Sequence, residues 1–206
     1  MRELRARLRD RLHDVALSPS KEPARGDFDL NPEWRERLAP AELTPAAVLV
    51  PIVGRIDGPA VLFTQRTSHL NAHAGQVSFP GGRLEPHDGG PIAAALRESE
   101  EEIGLGPEHV DVVGLLGTYQ TGTNYIVTPV VGMVSPNFVP ELDEFEVAEL
   151  FEVPLDHLLD RSNFVRESRD VGEFTRVFHA VYYEGWRIWG ATAGMLLDLV
   201  ERMDGE

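Results

Sequence analysis

Apolar residues follow two different spacings along the chain, and the changes of spacing mark its elements. Near the start, Leu4, Leu8, Leu12 and Val15 recur at i, i+4, i+8 and i+11, the stripe of an amphipathic helix. The same stretch carries Arg2, Arg5, Arg7, Arg9 and Arg11 together with Glu3, Asp10 and Asp14. The mixed charge favours docking on the domain, or on a second subunit to make a homodimer, over lying on a membrane surface. Residues 18–45 hold Pro19, Pro23, Pro32, Pro40 and Pro45 with few periodic apolar positions, and predict an arm or linker. Nearly continuous apolar runs follow at Ala46–Val53 and Pro59–Thr64, separated by the turn-rich stretch 54–58, and predict strands covered on both faces. A shorter strand fits Gln76–Phe79. Pro91 after Gly89-Gly90 and a stop at Gly104 predict a helix over 91–103. Val110–Tyr119, Tyr125–Val134, Val147–Val153 and Phe174–Tyr183 read as strands, and Ala193, Leu196, Leu197 and Val200 lie on a closing helix. Trp186 and Trp189 are expected in the core. Strands and helices interleaved in this way predict an α/β sandwich around one sheet.

Composition then narrows the chemistry. The 206 residues suffice for one domain with a sizeable core, divided here into an N-terminal helix and arm over 1–44 and a main domain over 45–206. No apolar run approaches the roughly 18 residues of a membrane span, so no membrane insertion is expected. The start lacks the apolar stretch of a secretory signal, which leaves a cytoplasmic protein as the expectation. Cysteine is absent, excluding disulfides, a thiol nucleophile and thiolate metal sites. Any metal must sit on oxygen or imidazole, which favours Mg²⁺ or Mn²⁺ where carboxylates dominate. With 34 acidic and 19 basic residues the net charge is −15, and broad binding to nucleic acid is not expected.

The helix over 91–103 carries the most informative chemistry. At 100° per residue, Ile92, Ala95, Leu96 and Ile103 fall within an arc of about 100°, the stripe to be buried. Glu98, Glu101 and Glu102 occupy a second arc beside it. Like charges at i, i+3 and i+4 cost a helix a few tenths of a kcal/mol per pair, a cost that a divalent cation on the carboxylates would offset. Arg97, four residues before Glu101, is placed to orient that side chain. A solvated acidic face would show the same spacing, since glutamate occurs 21 times, so the order of the residues has to decide.

Arg97-Glu98-Ser99-Glu100-Glu101-Glu102-Ile103-Gly104-Leu105 resembles the core of the Nudix box, R-E-U-x-E-E-x-G-U, where U is a bulky aliphatic. Ser99 replaces the first aliphatic. The preceding loop departs too: strict spacing asks for Gly at 83 and Glu at 89, whereas Gly82 and Asp88 each stand one position early. Leu62–Leu70 followed by His73–Gly82 is similar to the coenzyme A diphosphatase branch of that family, which also writes its box with an aspartate at the place of Asp88. Val127–Gly132, Glu146–Leu155 and Ile188–Ala193 are similar to the branch in the same order, so the resemblance covers roughly residues 45–200.

The resemblance implies a Nudix-type α/β/α sandwich with a mixed central sheet and a carboxylate-bearing catalytic helix. It implies metal-dependent hydrolysis of CoA or acyl-CoA to adenosine 3′,5′-bisphosphate and (acyl-)4′-phosphopantetheine, with Mg²⁺ or Mn²⁺ as cofactor. Alternatives are a Nudix hydrolase for ADP-ribose, a dinucleotide or an oxidised nucleotide, and a Nudix-like protein that only binds a nucleotide. Thr121 stands where the ADP-ribose branch usually has proline, and the S-Q-P-W-P-F-P-x-S run of the NADH branch is absent. Binding-only members usually lose box carboxylates, and all are present here. Carried over residue by residue, Glu98, Glu101 and Glu102 are the metal ligands and Glu98, Glu101 and Glu146 the catalytic set, Glu146 as general base. Gly81 and Gly82 let backbone approach phosphate. Arg66 and Arg83 are the candidates to meet substrate phosphates, a role that a −15 chain with one lysine, Lys21, leaves to metal and arginine, with a structural salt bridge the alternative for Arg66. His73 is expected to stabilise a turn and Asp88 to cap the helix dipole. Every motif lies beyond residue 45, so the N-terminal helix and arm are expected to be dispensable for chemistry.

Overall fold

A computed structural model describes residues 1–14, 22–33, 42–69, 75–172 and 174–205. Long strands form where the apolar runs predicted them: β2 over Thr44–Arg55, β3 over Gly58–Arg66, β8 over Tyr125–Val134 and β9 over Val147–Pro154. Shorter ones are β1 (Arg25–Gly26), β4 (Val77–Ser78), β5 (Gly81–Arg83), β6 (Val110–Leu115) and β7 (Tyr119–Gln120). These nine make one mixed sheet with the path β1-β7-β8-β2-β3-β4, while β5 joins β2, β6 joins β8 and β9 joins β3. β2 and β8 pair in parallel over ten residues, and β2 and β3 antiparallel.

The period-2 alternation of β2 explains the layering. Ala46, Val50 and Ile52 enter one core; Ala47, Leu49 and Val53 enter the other. Helix α2 (Pro91–Ile103) covers the second face through Ala94, Ala95 and Ile103. Helices α1 (Arg2–Arg11), α3 (Leu155–Leu159) and α4 (Ala191–Asp204) cover the first through Leu8, Leu158 and Leu196. The result is the expected α/β/α sandwich. A second, antiparallel sheet of β10 (Phe164–Val171), β11 (Phe174–Tyr183) and β12 (Trp186–Trp189) lies on the α4 side. An aromatic column ties it to the main sheet: Trp186 stacks on Phe151 at 3.9 Å, Phe151 on Phe63 at 5.5 Å, and Phe63 on Phe79 at 5.1 Å.

Several elements differ from the sequence reading. The strand expected over Val110–Tyr119 divides into β6 and β7, because the Gly117 N–H turns to the buried Asp198 of α4 at 2.8 Å. The strand expected at Gln76–Phe79 shortens to β4. β10 was not anticipated, since Phe164-Val-Arg-Glu-Ser-Arg-Asp-Val171 is polar and mostly exposed. Within the expected arm, β1 pairs in parallel with β7, and Phe28 and Asn31 are buried. The amphipathic helix docks on its own domain: Leu8 is fully buried, Leu12 packs over Gly114 where any side chain would collide with it, and Arg5 and Arg9 reach Asp111. Trp186 joins the core margin, whereas Trp189 is half-buried in the wall of a cavity. His73 lies outside the described residues.

Candidate active site

Helix α2 begins with Pro91 at its first position and ends at Gly104, which adopts the left-handed conformation (φ 70°) and donates to the Glu100 carbonyl. Ser99, the departure from the aliphatic pattern, is fully buried and self-satisfied, its hydroxyl donating to the Ala95 carbonyl at 2.7 Å. Two further orphan carbonyls at the helix end are used by the loop before β9: Glu141 N–H donates to Ile103 and Asp143 N–H to Glu102, both at 3.0 Å. That loop is also fastened to the end of β3, where the Thr67 hydroxyl donates to Phe145 at 2.8 Å and the Thr67 N–H to the Glu146 carbonyl at 3.0 Å. Backbone hydrogen bonds thus set Glu146 beside α2, 44 positions after Glu102 in the chain.

Two guanidinium groups interleave with the acids. Arg97 binds Asp88 in a fork (Nε–Oδ1 3.0 Å, Nη2–Oδ2 3.1 Å), and its Nη1 lies 3.0 Å from both Glu98 and Glu101. Arg66 reaches from β3 to Glu102 at 3.3 Å and Glu146 at 3.4 Å. Asp88 is therefore not a helix cap. Its carboxyl is buried, held at a pKa of about 2 chiefly by hydrogen bonds from Arg97, and serves to anchor that arginine; the helix starts at Gly90 without a side-chain cap.

Glu102 is 5% exposed and accepts the Gly81 N–H at 3.1 Å. Burial is the main cause that pushes its pKa up to about 8, with Glu98 and Glu146 adding like-charge repulsion and Gly81 and Arg66 opposing. Desolvation also raises Glu98, against the pull of Arg97. A Cβ at Gly82 would overlap the Glu98 carboxylate and force it to move. Gly81 pairs so closely with β2 that a Cβ would strike the Ala47 carbonyl, and its φ of 149° suits glycine. Glu98, Glu102 and Glu146 are thus brought together. Glu101 is turned outward to Arg97, with 60% of its side chain exposed. Among the described residues no three acid or imidazole side chains converge on one point, since Arg66 and Arg97 sit among them. The cluster still fits a cation: five carboxylates (Asp88, Glu98, Glu101, Glu102, Glu146) face two guanidinium groups, and one of the acids is buried at a cost that positive charge would relieve.

Gly81 and Gly82 also line an open cavity of about 530 Å³ between the main sheet, the second sheet and α4. Arg66, Gln76, Ser78 and Phe79 form its wall near the glycines. Arg83 lines it as well, its Nε donating to the Tyr125 hydroxyl at 2.9 Å. Sequence reasoning missed the rest: Tyr125, Arg169, Arg176, Trp189 and, from the arm, Asp27. Arg169 and Arg176 sit on the β10–β11 hairpin, whose first strand is hidden by its polarity.

Comparison with known proteins decides the family. The NUDIX domain description matches residues 43–173. The chain belongs to the Nudix family. It is 44% identical over 157 residues to the uncharacterized Nudix hydrolase NudL of Escherichia coli K12, covering 75% of this chain and 80% of that protein. Identity to NudL of Citrobacter koseri is 43% over the same length, with the same coverage. Among solved structures, a Nudix hydrolase of M. smegmatis, RenU, is 26% identical, covering 57% of this chain and 74% of that one with a TM-score of 0.46. This Nudix protein is accordingly a hydrolase of nucleoside diphosphate derivatives, in a family that generally uses divalent cations. None of its described helices is long and apolar enough to cross a membrane.

Proposed function

We propose that this Nudix hydrolase cleaves the diphosphate bond of CoA or acyl-CoA, releasing adenosine 3′,5′-bisphosphate and (acyl-)4′-phosphopantetheine. The observation that carries this reading is where the branch-like segment lies: Arg66, Gln76, Ser78 and Phe79, all within the stretch similar to CoA diphosphatases, line the cavity at the glycine loop. Arg83, Arg169 and Arg176 add positive charge to the same cavity, which an anionic CoA needs in a protein of net charge −15.

Glu98 and Glu102 are the proposed principal ligands of Mg²⁺ or Mn²⁺, with Glu101 completing the set from the rim. A bound divalent cation would neutralise phosphoryl oxygens and acidify a water. Arg97, itself fixed by Asp88, holds Glu98 and Glu101 in place. Glycine at 81 and 82 leaves the backbone open to phosphate beside the carboxylates. Glu146 takes the proton from the attacking water as the phosphorus–oxygen bridge breaks; its backbone anchors and Arg66 aim it, and 43% of its side chain is exposed. Because α1 already spends Leu8 and Leu12 on its own domain, a homodimer would need another surface.

Incubating the purified protein with CoA and Mg²⁺ or Mn²⁺, then separating products by chromatography, tests the reading. Equimolar adenosine 3′,5′-bisphosphate and 4′-phosphopantetheine are expected, and EDTA should stop their formation. No cleavage of CoA with either metal, while ADP-ribose is cleaved, would overturn it.

A further inference from the structure

The arginines in the cavity fall into two groups with different surroundings. Arg66, beside the glycine loop, is engaged by two carboxylates. Arg169 on β10 and Arg176 on β11 are direct cross-strand partners, and both line the cavity. Like charges set opposite each other in an antiparallel pair repel, so the arrangement costs stability unless an anion visits it. Arg83 lines the cavity from the main sheet, and among the described residues neither Arg83 nor Arg169 makes an ion pair with a carboxylate.

Arg176 is fixed from behind by an unexpected element. Asp27, in the N-terminal arm and 5% exposed, accepts from Arg176 Nη2 at 2.5 Å, from the Gly122 N–H at 2.6 Å and from the Tyr119 hydroxyl at 3.0 Å. One buried carboxylate therefore ties the arm, the loop before β8 and the second sheet together at the cavity wall. Asp27 and Arg176 both lie outside residues 43–173, the part that matches the family. Arg83 and Arg169, which line the same wall, lie within it.

We propose that Arg169 and Arg176, with Arg83, form a subsite for a phosphate monoester carried on the nucleoside ribose, and that Asp27 is its positioning residue. The inference rests on the CoA reading, in which that group is the 3′-phosphate; it selects the substrate without touching the bond that breaks. A charge-assisted contact of this kind shifts specificity by about tenfold or more.

The test compares CoA with dephospho-CoA, and adenosine 3′,5′-bisphosphate with AMP. Wild type should favour CoA over dephospho-CoA by about tenfold or more in kcat/KM, through KM. Arg169→Ala, at an exposed position that cannot unfold the core, should bring that ratio to within about threefold. Asp27→Asn should narrow it in the same direction by raising KM for CoA but not for dephospho-CoA, a split that general loosening of the fold would not produce. Calorimetry with the two mononucleotides separates this inference from the CoA reading. Tighter binding of the bisphosphate that Arg169→Ala abolishes supports the subsite even if CoA is not cleaved. Equal binding of bisphosphate and AMP by wild type, or a ratio untouched by Arg169→Ala, overturns it.

Discussion

At the glycine end of the cavity, four glutamates and Asp88 are interleaved with two arginines; at the β10–β11 end, two arginines face each other and Asp27 holds one of them from behind. The first arrangement is an excess of negative charge, partly buried, that calls for a cation. The second is an excess of positive charge on an open wall that calls for an anion. A protein of net charge −15 cannot attract an anionic substrate by its overall field, so it must do so locally. In the proposed account the contrast separates two tasks: the acidic end cuts a diphosphate, and the basic end selects which diphosphate arrives.

Breaking the acidic end should have the largest effect. Glu98→Gln and Glu102→Gln should each lower turnover at least a hundredfold with the fold retained by circular dichroism, because each removes a charged oxygen from the cation. Near-wild-type turnover in both would remove the cation site from the account. Glu146→Gln comes next, with a loss in kcat of about a hundredfold and little change in KM if the residue is the general base. A drop in KM affinity with kcat retained would instead make Glu146 a substrate contact.

The titration of Glu102 sharpens the comparison without touching chemistry. Burial raises its folded pKa to about 8, so the metal-free fold favours the neutral acid. Stability of the metal-free protein should therefore fall as pH rises from the ordinary glutamate range through about 8. A divalent cation must displace the proton, so its affinity should rise by up to about tenfold per pH unit below that point and level off above it. Thermal shifts with and without Mg²⁺ from pH 6 to 9 measure both trends, and Glu102→Gln should flatten the metal-free one. A metal-free melting temperature that rises across this range would contradict the burial argument.

The smallest effect on catalysis belongs to α1. Leu8→Ala removes a fully buried side chain and should cost about 2–4 kcal/mol, lowering the melting temperature by roughly 5–15 °C while the assay at 25 °C stays near wild type. Removing the chain through residue 40 is a different matter, since Asp27 goes with it. The arm, expected to be dispensable because every motif lies beyond residue 45, supplies part of the cavity wall, so this truncation should erode discrimination between CoA and dephospho-CoA even where turnover survives. Kinetics of Leu8→Ala and of the truncated protein with the two substrates would show the difference.

The two ends also differ in how far they could be read from sequence. Three acids of the acidic end lie on one helix, where a 3.6-residue period fixes which side chains share a face, so Glu98, Glu101 and Glu102 are readable from the sequence. What the period could not give was Arg97's fork to Asp88, which turns the apparent cap into an anchor, or the outward turn of Glu101. The basic end joins Asp27, Arg83, Arg169 and Arg176, which meet only through strand pairing. β10 carries no apolar alternation to announce it, and β1 is two residues long. Cross-strand register is a tertiary fact, so Asp27, Arg169 and Arg176 carried no local signal, whereas Arg83, next to the glycine pair, was already a candidate. The central sheet was legible because its strands are apolar on both faces, and its breaks were not, because a backbone bond such as Gly117 to Asp198 depends on a helix 81 residues away.

The central claim is that the acidic end cuts and the basic end chooses a nucleoside diphosphate with a second phosphate. It is tested most directly by giving the wild-type protein equimolar CoA and ADP-ribose with Mg²⁺ in one tube and following both by chromatography. CoA should disappear first, with adenosine 3′,5′-bisphosphate accumulating before any AMP. Consumption of ADP-ribose ahead of CoA would contradict the account.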